Sequence, residues 1–213
     1  MNYFAHAFRF LDDPYFVAGT AVPDWLNVAD RPARVRSKHV LPFLDDPDAP
    51  TAAVAGGMRQ HFHDDARFHE SRAFVEVAYA LTASARDALG NEAGLRPSFL
   101  GHLLTEVLLD WVLIEEAPAG LDAYYRLLDR TDASRVQVIV NRMSPRPTQR
   151  LAAMIEAFRA ARILSDYRED ARLLGRLNQV MRRLNLPPLP DHFSGILPEA
   201  RWRVAGRAGE MLA

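Results

Sequence analysis

Apolar residues recur at helical spacing along most of the chain, and no stretch alternates apolar and polar residues as a half-buried strand does. The clearest helical pattern lies in 72–89, whose predicted buried face consists of Phe74, Val77, Ala78 and Leu81. Prolines and short polar segments separate the helical segments from one another. The pattern therefore predicts an all-α protein, built as a multi-helix bundle.

The predicted helices cover most of the sequence, with a turn or a short, irregular helix at 15–26 and a loop at 90–94. They span 1–11, 34–44, 51–68, 72–89, 99–116, 121–128, 133–143, 148–164, 167–184 and 199–212. Thr51 is the predicted N-cap of the helix over 51–68. The Gly56-Gly57 pair inside that helix predicts close packing or a bend, since glycine lowers helix stability. The helix over 99–116 is the most apolar and is predicted to be buried on most sides.

Composition narrows the class of protein. The chain has 213 residues, 49% of them hydrophobic and 25% charged, which suits a protein with a sizeable core. We expect residues 1–143 to form a core that carries the site and 144–213 to form a helical extension packed on it, or the two to form one domain. No signal-peptide pattern and no run of ~18 apolar residues is present, which predicts a cytoplasmic protein with no membrane span. The net charge of −1 gives no general case for nucleic-acid binding.

Histidines and acids are concentrated at the end of one predicted helix and just after it, where His61, His63 and His69 accompany Asp64 and Asp65. Residues four apart lie on one helix face, so the first histidine and Asp65 point into one site. His61 and His69 are eight apart, ~12 Å along the axis, whereas metal–nitrogen bonds are only ~2.0–2.1 Å. Either one of these two histidines lies outside the ligand shell, or two ions sit in line, or the helix ends before His69. His63 lies on another face and is the weakest candidate.

A second polar column, His102, Glu106 and Asp110, lies within the most apolar helix. Burying such groups is costly unless each is paired or binds a metal. Neighbours in this column can share a site, but all three cannot serve one ion. Glu106 and Asp110 could instead pair with arginines near the C-terminus. Two further candidates have local alternatives, since His6 could be a core or capping residue and Asp24, after Pro23, a turn or cap residue.

The residue types point to metal chemistry. The chain has no cysteine, so a metal must be held by imidazole and carboxylate groups. No nucleophile elbow, glycine-rich phosphate loop or dinucleotide fingerprint is present. Mixed His and Asp/Glu ligands suit Mn²⁺, Mg²⁺, Fe²⁺ or Zn²⁺, whose usual work is hydrolysis of a phosphoester. Residues 142–207 hold 13 arginines against 6 acids, which predicts a surface for an anionic substrate or an acidic carrier protein.

Three short motifs resemble the acyl carrier protein phosphodiesterases. They are Met1-Asn2-Tyr3-Phe4-Ala5-His6, Gly19-Thr20-Ala21-Val22-Pro23-Asp24, and Gly57-Met58-Arg59-Gln60-His61 followed by Asp65. The resemblance covers roughly residues 1–112. The family's histidine two positions before the one matching His61 is Arg59 here. The His102-Leu-Leu-Thr-Glu106 arrangement also differs from the family's aspartate-led version, as in a divergent branch.

The resemblance implies an HD-domain-like helical fold, of the distorted HD-type phosphohydrolase kind. It also implies a divalent metal, usually Mn²⁺ or Mg²⁺, and cleavage of phosphopantetheine from holo-acyl carrier protein. On this match His6, Asp24, His61 and Asp65 gain weight as site residues.

The expected function is therefore that of a metal-dependent phosphodiesterase or phosphohydrolase. The alternatives are a non-catalytic helical binding protein with a degenerate metal site and a zinc-dependent lipase-like hydrolase. The predicted catalytic residues are Asp24, His61, Asp65 and Glu106. The predicted metal-site residues are His6, Asp24, His61, Asp65, His69, His102 and Glu106.

Overall fold

The computed structural model describes residues 1–90 and 94–213, and these residues form helices, turns and connecting segments with no strand. The prediction of an all-α protein is confirmed, whereas the HD-domain-like arrangement stays a prediction. Residues 91–93 of the loop predicted at 90–94 lie outside the described part of the chain.

Most of the α-helices overlap predicted segments, and short 3₁₀ helices lie at Arg31–Ala33, Leu41–Phe43, Ile163–Arg168 and Asp191–Ile196. The helices predicted over 1–11 and 34–44 are much shorter in the structure, and the one predicted over 199–212 is divided in two. The α-helices are α1 (Tyr3–Ala7), α2 (Pro14–Ala29), α3 (Ser37–Val40), α4 (Ala49–Glu70), α5 (Arg72–Leu89), α6 (Pro97–Glu116), α7 (Pro118–Asp129), α8 (Ala133–Met143), α9 (Leu151–Ala161), α10 (Asp170–Arg183), α11 (Leu197–Ala205) and α12 (Ala208–Met211). The segment predicted to be a turn or a short, irregular helix lies within α2, a helix of 16 residues that contains Pro23. Asp13 caps this helix by accepting from the backbone N–H groups of Tyr15 and Phe16.

The chain divides into two compact units. Unit 1 consists of residues 1–2, 67–116 and 163–213, and unit 2 consists of residues 3–66 and 117–162. Helix α4 contributes residues to each of them. The boundary predicted after residue 143 falls inside unit 2.

The core of unit 2 is built from large aromatic side chains. Trp25 of α2 meets Phe158 of α9 with ring centroids 5.4 Å apart, and Phe4 of α1 meets Tyr124 of α7 at 5.9 Å. All four side chains are buried. Burying rings of this size supplies much of the hydrophobic stabilisation of a core, and here it holds α1 and α2 in place.

Helix α6 is the centre of unit 1 and packs against α5 and α11. Its close approach to α5 depends on Gly101, because a Cβ there would lie 2.5 Å from the carbonyl oxygen of Ala78. Among the described residues, α6 alone has the length and apolarity of a membrane-crossing helix, yet 61% of that stretch is buried inside the protein. Burial of this kind is usual for a core helix and agrees with the predicted central position of this segment.

Helices α2 and α4 of unit 2 approach each other through glycines. A Cβ at Gly57 would lie 2.2 Å from the carbonyl oxygen of Phe16, and one at Gly19 would lie 2.5 Å from that of Val54. No larger residue fits at either position without moving backbone. The close packing predicted at the glycine pair is confirmed at Gly57, and it brings α2 next to the histidine-rich part of α4.

The N-terminus of α4 is capped by Asp48, so the prediction of Thr51 as the cap is wrong. Asp48 Oδ2 accepts from the backbone N–H of Thr51 at 3.2 Å and from its hydroxyl at 2.7 Å. The helix begins earlier than predicted because aspartate, like threonine, can accept the first free N–H groups.

We expect Gly57→Ala to lower the free energy of unfolding by about 1–3 kcal/mol or more, because the added methyl overlaps backbone. The matched control is Gly175→Ala in α10, where an added Cβ meets nothing within 4 Å. That change is expected to raise the stability by about 0.5–1 kcal/mol. Urea unfolding of the two variants measures this, and a shift of the same sign in each would contradict the account of the α2–α4 contact.

Asp48→Ala is expected to lower the thermal unfolding temperature, whereas Asp45→Ala, at an exposed position in the same loop, is expected to leave it unchanged. The hydrogen bond from Thr51 lowers the pKa of Asp48, with a further contribution from Arg135. The stabilisation is therefore present above the ordinary aspartate pKa of about 3.9 and is lost as the pH falls below it. Unfolding curves at neutral pH and near pH 3 should show the Asp48→Ala deficit shrinking.

Candidate metal centre

The orientation of His61 is fixed from α2. Its Nδ1 lies 2.8 Å from the carbonyl oxygen of Thr20, and the ring is buried. A carbonyl oxygen can only accept, so Nδ1 carries the proton and donates it. In the neutral ring Nε2 is then an unprotonated acceptor, and it lies 3.3 Å from Oδ2 of Asp65, one turn later on α4.

His6 of α1 is oriented in the same way by a different partner. Its Nδ1 lies 3.3 Å from Oδ2 of Asp64, and the other oxygen of that carboxylate, Oδ1, accepts from the Gln60 side-chain amide at 2.7 Å. An ionised carboxylate only accepts, so Nδ1 of His6 is the donor. The other nitrogen, Nε2, is buried without a hydrogen-bond partner among the described residues and lies 3.4 Å from Oδ1 of Asp65.

Two imidazole nitrogens and one carboxylate therefore converge, each presenting lone pairs. The His6 and His61 rings stack with centroids 4.0 Å apart and planes 26° apart. One ligand atom from each of His6, His61 and Asp65 can be chosen so that all lie within 4.8 Å of one another. Ligands at bonds of ~2.0–2.1 Å in a tetrahedral site are ~3.3–3.4 Å apart. His61 Nε2 lies 3.3 Å from Oδ2 of Asp65 and His6 Nε2 lies 3.4 Å from Oδ1 of the same carboxylate, so each separation is of that size although the oxygens differ.

The charges around His6, His61 and Asp65 favour a positive charge between these side chains. Burial alone would lower the pKa of His61, but the hydrogen bond to Asp65 and the charges of Asp24 and Asp65 outweigh it and raise the pKa. Burial alone would raise the pKa of Asp65, but the imidazoles of His6 and His61 beside it lower it well below its ordinary value. The same place that favours a proton on His61 favours a cation shared with Asp65.

A cleft of about 310 Å³ adjoins this group and is lined by cationic as well as acidic residues. It is lined by Pro23, Asp24, Asn27, Arg34, Val35, Arg36, His61, Phe62 and Asp65. Burial raises the pKa of Asp24, against the lowering effect of His61 and His6. A second cleft, also about 310 Å³, shares Arg34 and Arg36 and is otherwise lined by Arg31, Pro32, Lys38, His39 and Pro145. Cationic side chains thus extend away from the group in unit 2.

A second group of the same residue types lies in unit 1. Nε2 of His69, in the last turn of α4, and Nε2 of His102 on α6 each lie 3.2 Å from Oε1 of Glu106. Burial alone would raise the pKa of Glu106, but the hydrogen bonds from His102 and His69 lower it to about 2. One ligand atom from each of the three residues can again be chosen so that all lie within 4.8 Å of one another.

The predicted site residues are thus found in two groups. His6, His61 and Asp65 come together in unit 2, with Asp24 in the adjoining cleft. The sequence predicted that His102 and Glu106 complete the shell of that ion or serve as the base, but in the structure they group with His69. The expectation that one ion cannot take His61 and His69 together agrees with this grouping.

The remaining candidates have other surroundings. The side chain of His63 is 57% exposed, as expected for the weakest candidate. Asp110 is buried and accepts from the side-chain amide of Asn2 at 2.9 Å. Many of the arginines in 142–207 form ion pairs, for example Arg142 with Asp46 at 2.8 Å and Arg162 with Asp129 at 2.6 Å.

Sequence reasoning missed the residues that orient the ligands and line the cleft. Asp64 has no role that spacing could assign, because its contact with His6 forms only through tertiary packing. The carbonyl of Thr20 has no sequence signal at all. The basic run Arg34-Val35-Arg36-Ser37-Lys38 is the one sequence signal for the cationic lining of the clefts.

No protein-family model, curated protein or solved structure matches this chain. The resemblance to the acyl carrier protein phosphodiesterases therefore stays a prediction.

Asp64→Asn is expected to weaken Mn²⁺ binding at the unit 2 group by about 10–100-fold. Loss of a residue that hydrogen-bonds to a histidine ligand typically lowers metal affinity by about that factor. Asp65→Asn removes a candidate ligand and is expected to weaken Mn²⁺ binding further. Asp12→Asn, at an exposed position of unit 2, is the control and should bind like the wild type. Titration calorimetry measures the Mn²⁺ affinity of the three variants. Equal affinity in the Asp64→Asn and Asp12→Asn variants would contradict the orienting role of Asp64.

Proposed function

We propose that the protein is a metal-dependent hydrolase of phosphoesters, with the unit 2 group as its reactive centre. One observation carries the proposal: two buried histidines are each held with Nδ1 as donor, so that their Nε2 atoms face the same carboxylate of Asp65. Such an arrangement leaves lone pairs opposed unless a cation or a proton lies among them. The adjoining cleft, with Arg34 and Arg36, supplies room and positive charge for an anionic group.

The donor set accommodates several divalent ions. Carboxylate and imidazole together suit Mn²⁺, Zn²⁺ or Fe²⁺, and Mg²⁺ prefers sites richer in oxygen. We favour Mn²⁺, because it also fits the resemblance noted in the sequence. A bound ion of this class acts as a Lewis acid toward a phosphoryl oxygen and lowers the pKa of a coordinated water.

The protein's own side chains would do the rest of the work. Arg34 and Arg36 would bind the phosphoryl oxygens, for which the planar guanidinium offers paired donors. Asp24 lines the same cleft beside His61 and Asp65. There it would donate a proton to the leaving oxygen, a role typical of a carboxyl group in a cleft.

The substrate would be anionic beyond its reacting phosphate. The cationic residues shared by the two clefts, rather than the largely ion-paired arginines of 142–207, would meet it. The phosphopantetheinyl group of an acyl carrier protein is the substrate that the resemblance implies.

The histidine-rich donor set also supports a second candidate, a zinc-dependent lipase-like hydrolase. Two histidines and one carboxylate with an open position are a common arrangement for catalytic zinc. The arginines beside the group favour phosphoesters over neutral carboxyl esters. A third candidate is a binding protein that holds a metal without catalysis.

Hydrolysis of an aryl phosphodiester with and without Mn²⁺ tests the proposal. The wild type is expected to depend on the metal, and Asp65→Asn to lower kcat/KM by at least about 100-fold, the scale of removing one electrostatic stabiliser. Arg36→Ala is expected to raise KM by about 10-fold, and Asp12→Asn is the control.

Other outcomes would point elsewhere. Turnover of an aryl carboxylate ester with Zn²⁺, and none of the phosphodiester, would favour the lipase-like candidate. Metal binding without turnover of either substrate, or of phosphopantetheinyl acyl carrier protein, would favour a binding protein.

A further inference from the structure

We propose that His69, His102 and Glu106 form a second, independent site for a transition-metal ion, located in unit 1 and serving stability rather than the proposed hydrolysis. The residues come from two helices of that unit. His102 and Glu106 lie one turn apart on α6, and His69 lies in the last turn of α4. An ion held by all three would join the end of α4 to α6.

The side chains of His69, His102 and Glu106 converge on one point. The two Nε2 atoms approach the same oxygen, Oε1 of Glu106, and each is 3.2 Å from it. That distance is close to the ~3.3 Å between neighbouring ligands of a tetrahedral zinc ion with bonds of ~2.0–2.1 Å. The α-ammonium group of Met1 also lies 3.4 Å from this oxygen, and a bound ion would displace it. A modest movement of the three side chains would then place a cation at bonding distance from each of them.

Ring contacts hold the two imidazoles in position. The rings of His69 and His102 stack with centroids 5.0 Å apart and planes 23° apart. The ring of Phe74 on α5 meets the His69 ring and the His102 ring edge-on, with centroids 5.0 Å away in each case. Phe74 is itself buried. The two imidazoles are therefore held in position before any ion binds, which reduces the entropy lost on binding.

The donor types determine which ion the site prefers, and the exposure of the side chains determines how the ion reaches it. Two imidazoles and a carboxylate prefer Zn²⁺, Co²⁺ or Ni²⁺ to Mg²⁺ or Ca²⁺. The side chains of His69 and His102 are 35% and 46% exposed, so an ion can enter from solvent and keep a water as a further ligand. Ligands supplied by the folded state alone stabilise that state when the metal binds.

The site is tested in the full chain with the unit 2 group disabled by Asp65→Asn. In this background we expect one equivalent of Co²⁺ to bind and to give the visible absorption typical of low-coordinate Co²⁺. Zn²⁺ is expected to raise the thermal unfolding temperature. Adding His102→Ala should weaken binding at least 100-fold and abolish both effects. Adding His192→Ala, an exposed histidine of the same unit, should change neither.

His102→Gln provides a second variant, since it keeps a polar side chain of similar length, and circular dichroism checks that each protein folds. The proposal is overturned if the Asp65→Asn protein binds no Co²⁺ at millimolar concentration, or if His102→Ala and His192→Ala bind alike. The result does not depend on the proposed hydrolysis. If the unit 2 group bound no metal, the wild type would still bind one ion, and His102→Ala would remove it.

Discussion

The hydrogen bond from His61 Nδ1 to the Thr20 carbonyl is the contact on which the account of this protein depends. It fixes the tautomer of a buried imidazole, so that in the neutral ring the opposite nitrogen, Nε2, is an acceptor that faces Asp65. His6 is fixed the same way by Asp64. Ligand orientation by backbone carbonyls and carboxylates is how metal-binding histidines are commonly held. The chemistry proposed for unit 2 follows from these two orientations more than from the presence of histidines.

That contact exists because α2 and α4 come unusually close together. Gly19 and Gly57 lie where their missing side chains let the two backbones meet, and the aromatic core holds α2 against its other neighbours. The carbonyl of Thr20 then lies within reach of the His61 ring. Packing at the glycines and polar chemistry at the histidines are thus successive consequences of one helix crossing.

Sequence periodicity was enough to predict the helical class and most helix positions, because apolar spacing reports directly on the buried face. Spacing on α4 also paired His61 with Asp65 and separated His61 from His69. It could not reveal that His6 joins the first pair, since residues far apart in sequence meet only through tertiary packing. The cap at Asp48 was missed because several residues in the loop before α4 can accept hydrogen bonds. The roles of Thr20 and Asp64 depend on ring orientation, which no pattern of residue types encodes.

The most direct test of the central claim is crystallographic. Crystals grown with Mn²⁺ or Zn²⁺ should show an anomalous difference peak at ligand distance, about 2.0–2.2 Å for zinc, from Nε2 of His6, Nε2 of His61 and a carboxylate oxygen of Asp65. His61 Nδ1 should keep its contact with the Thr20 carbonyl. A structure with no peak there at saturating metal, or with His61 turned so that Nε2 faces Thr20, would contradict the account.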